Sequence, residues 1–122
     1  MNRLTRIVPA VSAALLVAAV AVPGGALAAA SAKPVVVTVI MTDFTYKLSR
    51  DTVPAGQVVT YKVINKGRSA HNFDINGSKG SPFLAPGKSF TLKVALKPGE
   101  WSFVCTVPRH AELGMRGDLT AK

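Results

Sequence analysis

At 122 residues the chain has room for one small domain, and 15 Lys+Arg against 6 Asp+Glu give it a net charge of +9. A basic balance of this kind suits acidic partners, but the lysines are spread singly and no nucleic-acid-binding module signature is present, so nucleic acid is excluded as a partner. A single cysteine excludes an intramolecular disulfide framework.

In chain order, the first expected element is a leader. Arg3 and Arg6 form a short basic head, Ile7 to Val22 is almost wholly apolar, and Ala26-Leu27-Ala28 follows Pro23-Gly24-Gly25 as a small-residue cleavage pattern. The reading is a signal peptide over 1–28 cut near Ala28, with Ala30 and Ala32 as alternatives, a linker over 29–34 and a domain over 35–122. The apolar run of about 16 residues falls short of the ~20 that cross a bilayer, so membrane contact is expected only if the leader is uncleaved. No cysteine lies near the cut for lipid attachment, and no Arg-Arg pair marks twin-arginine export. The expected location is extracytoplasmic: periplasm, cell envelope or secreted. Cleavage leaves 13 basic residues against 6 acidic ones, a net charge of +7.

Short strands then alternate with turns. Val35 to Met41 reads as a buried strand, Phe44 to Leu48 as a second extended piece, and Val53-Pro54-Ala55-Gly56 as a turn. Gln57 to Ile64 places Val59, Tyr61 and Val63 on one face, and Asn65-Lys66-Gly67 turns the chain again. His71 to Ile75 reads as a short strand followed by a Gly/Ser/Pro-rich loop over 76–88. Ser89 to Leu96 sets Phe90, Leu92, Val94 and Leu96 inward, and Glu100 to Cys105 sets Trp101, Phe103 and Cys105 on one side. Arg116 to Ala121 is a last strand, and only Ala111 to Leu113 hints at a helical turn. About seven strands with turn signals every 8–12 residues predict an all-β antiparallel sandwich or small barrel.

The chemistry gathers near the C-terminus. In Cys105-x₄-His110-x₄-Met115 three soft or borderline donors share one loop, stiffened by Pro108 and given room for a tight approach by Gly114. His71 begins a strand and Cys105 ends one. Neighbouring antiparallel strands put such ends at the same pole, so His71 is expected to meet the loop. A lone cysteine after an apolar strand is by itself most often a small buried hydrophobe, and a lone histidine a structural hydrogen-bonder. The conjunction of His71, Cys105, His110 and Met115 is different: two imidazoles, a thiolate and a thioether are the donor set of a mononuclear blue-copper site. Zinc is disfavoured, since structural zinc sites take more cysteines and thioether is not a usual zinc ligand. Met41, Trp101 and Phe103 read as core, and Glu112 and Arg116 as solvated.

The segment Cys105-Thr106-Val107-Pro108-Arg109-His110 resembles the azurin ligand loop Cys-Thr-Phe-Pro-Gly-His. His71-Asn72-Phe73 after the Asn65-Lys66-Gly67 turn resembles the upstream histidine region of azurins and plastocyanins, and the gap between His110 and Met115 is more like auracyanin and rusticyanin. The mature chain from about Val35 thus resembles the small blue copper proteins of the cupredoxin family. The resemblance implies a Greek-key β-sandwich of seven to eight strands, one type 1 copper ion cycling between Cu(I) and Cu(II), and one-electron transfer. It implies His71, Cys105 and His110 as equatorial ligands and Met115 as the weak axial one. It also implies a surrounding shell of Asn72, Thr106, Val107 and Pro108, with Asn72 tying the histidine strand to Thr106 and backbone N–H groups of Asn72 and Val107 donating to the thiolate. Arg109 departs from the pattern where azurin has Gly. If that glycine serves a positive backbone angle, Arg109 must adopt another conformation or bear the strain, and its charge beside His110 is expected to raise the reduction potential.

The expected function is an exported, monomeric one-electron carrier meeting acidic redox partners by transient contact. The alternative is an envelope copper chaperone or store, although a store would more often carry several Met/His-rich sites. A solitary copper enzyme would need a second copper, for which no histidine is left, and a metal-free interaction module leaves the donor set unused.

Overall fold

In a computed structural model, residues 18–21, 24 and 33–122 are described. The expected basic head and the cleavage region around Ala28 lie outside them. The chain divides into the units Met1–Ala30 and Ser31–Lys122, and every strand formed among the described residues belongs to the second.

There are eight of these strands: β1 Val35–Thr42, β2 Thr45–Leu48, β3 Thr52–Val53, β4 Val58–Asn65, β5 Asp74–Ile75, β6 Ser89–Ala95, β7 Gly99–Val104 and β8 Arg116–Ala121. They build two four-stranded sheets, β2-β1-β4-β6 and β3-β8-β7-β5. The period-two pattern decides the inner faces. Val37, Val39 and Met41 of β1 and Val59, Tyr61 and Val63 of β4 are buried, and the register sets Val37 beside Tyr61 and Val39 beside Val63. Phe73, Ile75, Phe103, Leu119 and Ala121 answer them in the same core. Burying a valine-sized side chain contributes roughly 1.5–3 kcal/mol, so these two β-branched strands are the main support of the sandwich.

Three details differ from the sequence reading. The sheets are mixed: β1 pairs β4 and β3 pairs β8 in parallel, beside four antiparallel pairings. After the β1–β2 hairpin the chain visits the other sheet as β3 and returns as β4 on the far side of β1, running in the same sense. Second, the expected His71–Ile75 strand is regular only at Asp74–Ile75. Upstream, the 76–88 loop folds back to satisfy its backbone: His71 and Leu84 exchange both N–H···O bonds (3.1 and 2.8 Å), Ser81 N–H donates to Phe73 O at 2.8 Å and Phe73 N–H to Ser81 Oγ at 3.0 Å. Third, Phe90 lies opposite buried Val63 yet is 37 % exposed, while Leu92 and Val94 on the same face of β6 are each 5 % exposed, so the inner face opens at the Ser89 end of this edge strand.

Candidate metal centre

The pairing of β5 with β7, Asp74 opposite Val104, puts His71 and Cys105 at one pole. Cys105 leaves β7 directly, and Met115 enters β8 directly. Cys105 N–H donates to Met115 O at 3.0 Å, closing the mouth of the β7–β8 connection. Between them the loop is a succession of tight turns: His110 N–H to Val107 O (3.1 Å), Leu113 N–H to Arg109 O and His110 O (3.1 Å each), and Met115 N–H to His110 O (3.0 Å). Two backbone angles make this compactness possible, Gly114 at φ 103 and Arg109 at φ 72. Arg109 therefore takes the left-handed conformation itself and bears the strain, which is about 1–2 kcal/mol for an L-residue.

The donors converge. His71 and Met115 are fully buried, Cys105 is buried and His110 half-buried. His71 Nδ1 lies 3.1 Å from His110 Nδ1, and Cys105 Sγ lies 3.9 and 3.6 Å from those two nitrogens. A point equidistant from the three atoms is roughly 2.1 Å from each, within the 2.0–2.3 Å reach of first-row metal bonds to imidazole and thiolate. Both imidazoles present the same nitrogen type inward, so the residues fit a trigonal N₂S plane. With the thioether of Met115 this is the ligand set and shape suited to copper. The ligand atoms of His71, Cys105 and His110 all lie within 4.8 Å of one another, and Met115, buried and joined to Cys105 and His110 by backbone hydrogen bonds, completes the donor set of a single copper site.

The surroundings hold the donors in place. Asn72 Oδ1 accepts Thr106 N–H at 2.7 Å and Asn72 Nδ2 donates to Thr106 Oγ1 at 2.9 Å, joining the residue after His71 to the residue after Cys105. Tyr46 donates its hydroxyl to Asn72 O; burial, and next the charge of Cys105, push its pKa up. Val107 packs on the core and offers its carbonyl to the loop. Sγ has the two imidazole nitrogens within hydrogen-bonding distance and the Tyr46 hydroxyl beside it, while the Asn72 side chain acts on Thr106. Burial, followed by the nearby His71, lowers the pKa of His110, which keeps an imidazole lone pair available for metal.

A third segment was not found by sequence reasoning. Asp43 and Phe44, in the β1–β2 turn, both reach the site. Asp43 Oδ1 is 2.9 Å from His71 Nε2, and because a carboxylate only accepts, Nε2 carries the proton and Nδ1 is left free for metal. The hydrogen bond to His71, then that from Ser69 N–H, lowers the pKa of Asp43. The Phe44 ring stands edge-on to His110 with centroids 5.1 Å apart. An acid in a turn after a β-rich run carries no local signal for this role. An open groove lined by Asn76, Ser102, Val104, Asp118 and their neighbours contains none of the four donors.

The profile of the cupredoxin-like domain matches residues 11–121. The chain belongs to that family. Among solved structures it is similar to reduced auracyanin from Roseiflexus castenholzii, with a TM-score of 0.63, 22% identity, and 75% of this chain and 98% of that one covered. Rusticyanin from Thiobacillus ferrooxidans gives 0.63 at 22% identity, covering 75% and 79%. A multicopper oxidase from Campylobacter jejuni gives 0.62 at 18%, covering 75% of this chain and 31% of the oxidase. At these identities the likeness speaks for the fold. No curated protein matches in sequence.

Proposed function

We propose that the protein is an exported one-electron carrier, released from its leader near Ala28, acting outside the cytoplasm as a monomer rather than as an enzyme. The observation that carries this reading is the enclosure of three donors and the half-burial of the fourth: His71, Cys105 and Met115 are buried, while His110 reaches toward the surface. When bound, copper supplies a one-electron couple between Cu(I) and Cu(II). The chain's residues supply a fixed trigonal geometry, which limits rearrangement between the two states. Asn72 and Thr106 hold the two ligand segments together, and the 107–114 turns hold His110. An electron then has one short way in and out, through the His110 edge.

Around that edge Leu113 is 57 % exposed and Arg109 precedes His110. An apolar contact flanked by positive charge suits an acidic protein partner that docks briefly and leaves. The absence of further histidines supports a carrier over an oxidase, since His71 and His110 are the chain's two.

The test is spectroscopic. Copper-loaded chain is expected to show an intense thiolate-to-copper band in the visible and narrow copper hyperfine splitting in paramagnetic resonance. Cys105→Ser should lose the colour, and Met115→Leu should keep it with a raised potential. A colourless protein that holds only Cu(I) would point to a store instead.

A further inference from the structure

The turn between β1 and β2 contributes two side chains to a site made mostly by distant segments. Asp43 Oδ1 meets His71 Nε2 at 2.9 Å, on the far side of the ring from the metal-facing Nδ1. The carboxylate is itself fixed from behind: Oδ1 accepts from Arg68 N–H at 2.9 Å and Ser69 N–H at 3.2 Å, and Oδ2 from Arg68 N–H at 3.1 Å. Residue 67 makes room for this contact. A Cβ there would stand 2.6 Å from Asp43 Oδ1 and 2.9 Å from His71 Nε2, closer than real Cβ contacts come. Asn65, fully buried, shapes that turn by accepting Gly67 N–H on Oδ1 and donating Nδ2 to Ser69 O and Leu84 O. So the 65–71 turn is built around a carboxylate delivered from the β1–β2 turn.

We propose that Asp43 is a positioning residue that sets the Cu(II)/Cu(I) balance of the centre through His71. Its Oδ1, which can only accept, fixes the imidazole in the tautomer with Nδ1 free. Its negative charge, shared through Nε2–H, makes Nδ1 a stronger donor and favours the more positive copper state. A fully exposed ion pair would be worth little; here His71 is completely buried and the Asp43 side chain 31 % exposed, so solvent reaches the contact from the carboxylate side alone. Arg109 places positive charge beside the other imidazole, and the two residues bias the couple in opposite directions. The inference rests on the copper centre and not on which partner exchanges electrons with it.

The decisive variant is Asp43→Asn in the copper-loaded full chain. An amide oxygen in the place of Oδ1 still accepts from Nε2–H and from the Arg68 and Ser69 N–H groups, so ring orientation is kept while the charge and the longer Arg68 N–H···Oδ2 contact are lost. The visible band should persist while the Cu(I)/Cu(II) affinity ratio rises about tenfold, which is about 59 mV upward for a one-electron couple. Gly67→Ala, which presses on both atoms of the bond without changing any charge, should shift the potential the same way. In the metal-free parent, nitrogen NMR of the imidazoles should report His71 as the Nε2–H tautomer. An Asp43→Asn potential equal to or below the parent's overturns the proposal, because a loop-tying role alone predicts no change. An Nδ1–H tautomer for His71 in the parent overturns it as well, and that measurement needs no variant to fold.

Discussion

Asn72→Ala tests the tie that joins the two ligand segments. Asn72 is 5 % exposed, and its amide makes two hydrogen bonds to Thr106, at 2.7 Å to the backbone N–H and 2.9 Å to Oγ1. Each bond contributes about 1 kcal/mol net. Thr106 is exposed, so water can take over its N–H and hydroxyl once the amide is gone, and no buried orphan adds to the loss. The expected cost is therefore about 2 kcal/mol. For a domain of this size about 1 kcal/mol moves Tm by 4–8 °C, so the metal-free variant should melt roughly 8–16 °C below the parent. Circular dichroism and Trp101 fluorescence would track the transition. Thr106→Ala removes one arm but leaves the buried Asn72 Nδ2 without its acceptor, so it should cost about 1–3 kcal/mol, and the two changes together should cost less than their sum, since both delete the same Oγ1 bond. If Asn72→Ala loses under about 0.5 kcal/mol, no more than an ordinary surface substitution, the tie is not what holds His71 to Cys105.

Three other groups give outcomes that a denaturant titration can read. His110 has its pKa lowered from 6.5 by burial and by His71, so below that value the unfolded chain binds more protons than the folded one. Stability of the metal-free chain should be fully present above about pH 6.5 and fall as pH drops below it; a urea midpoint unchanged between pH 8 and pH 5 would contradict the assignment, whereas the Asp43 contribution, its pKa lowered from 3.8, should persist to more acid conditions. Among the described residues the Tyr61 hydroxyl is buried without a hydrogen-bond partner, and burial raises its pKa to about 12, so Tyr61→Phe should be neutral or stabilising by up to about 1 kcal/mol, and a clear loss would mean that the hydroxyl has a partner.

How much could be read from the sequence depends on the range of the interaction. The apolar run Val35 to Met41 marked a buried strand, and alternation in β4 placed Val59, Tyr61 and Val63 on one face, because a strand's side-chain period is local. The Cys105-x₄-His110-x₄-Met115 spacing was visible for the same reason: one loop holds all three. The pole shared with His71 could be argued from antiparallel ends. What stayed hidden is contact at long separation without periodicity. Asp43 meets His71 across 28 positions, the Leu84 backbone replaces a regular strand partner for His71, and the β1–β4 pair is parallel because the chain detours through the other sheet. Phe90 was misplaced for another reason, since alternation gives the face of a strand but not how far along it the cover extends: Leu92 and Val94 on the same face are buried.

Strain shows how the site obtains its shape. Among the described residues two non-glycines have left-handed backbones, Phe44 at φ 67 and Arg109 at φ 72. A bulky residue in that region costs about 1–2 kcal/mol, and such costs persist where surrounding structure over-determines the conformation. Both fall on His110: the Phe44 ring packs edge-on against it, and Arg109 is the residue before it. The same turn that strains Phe44 presents Asp43 to His71. The least buried donor is thus gripped from two sides by conformations the chain would not choose locally. Glycine at 44 or 109 would relieve the backbone, but at 44 it would also release the ring that steadies His110. Backbone comfort and donor alignment therefore pull in opposite directions at this pole, and the fold has kept the alignment.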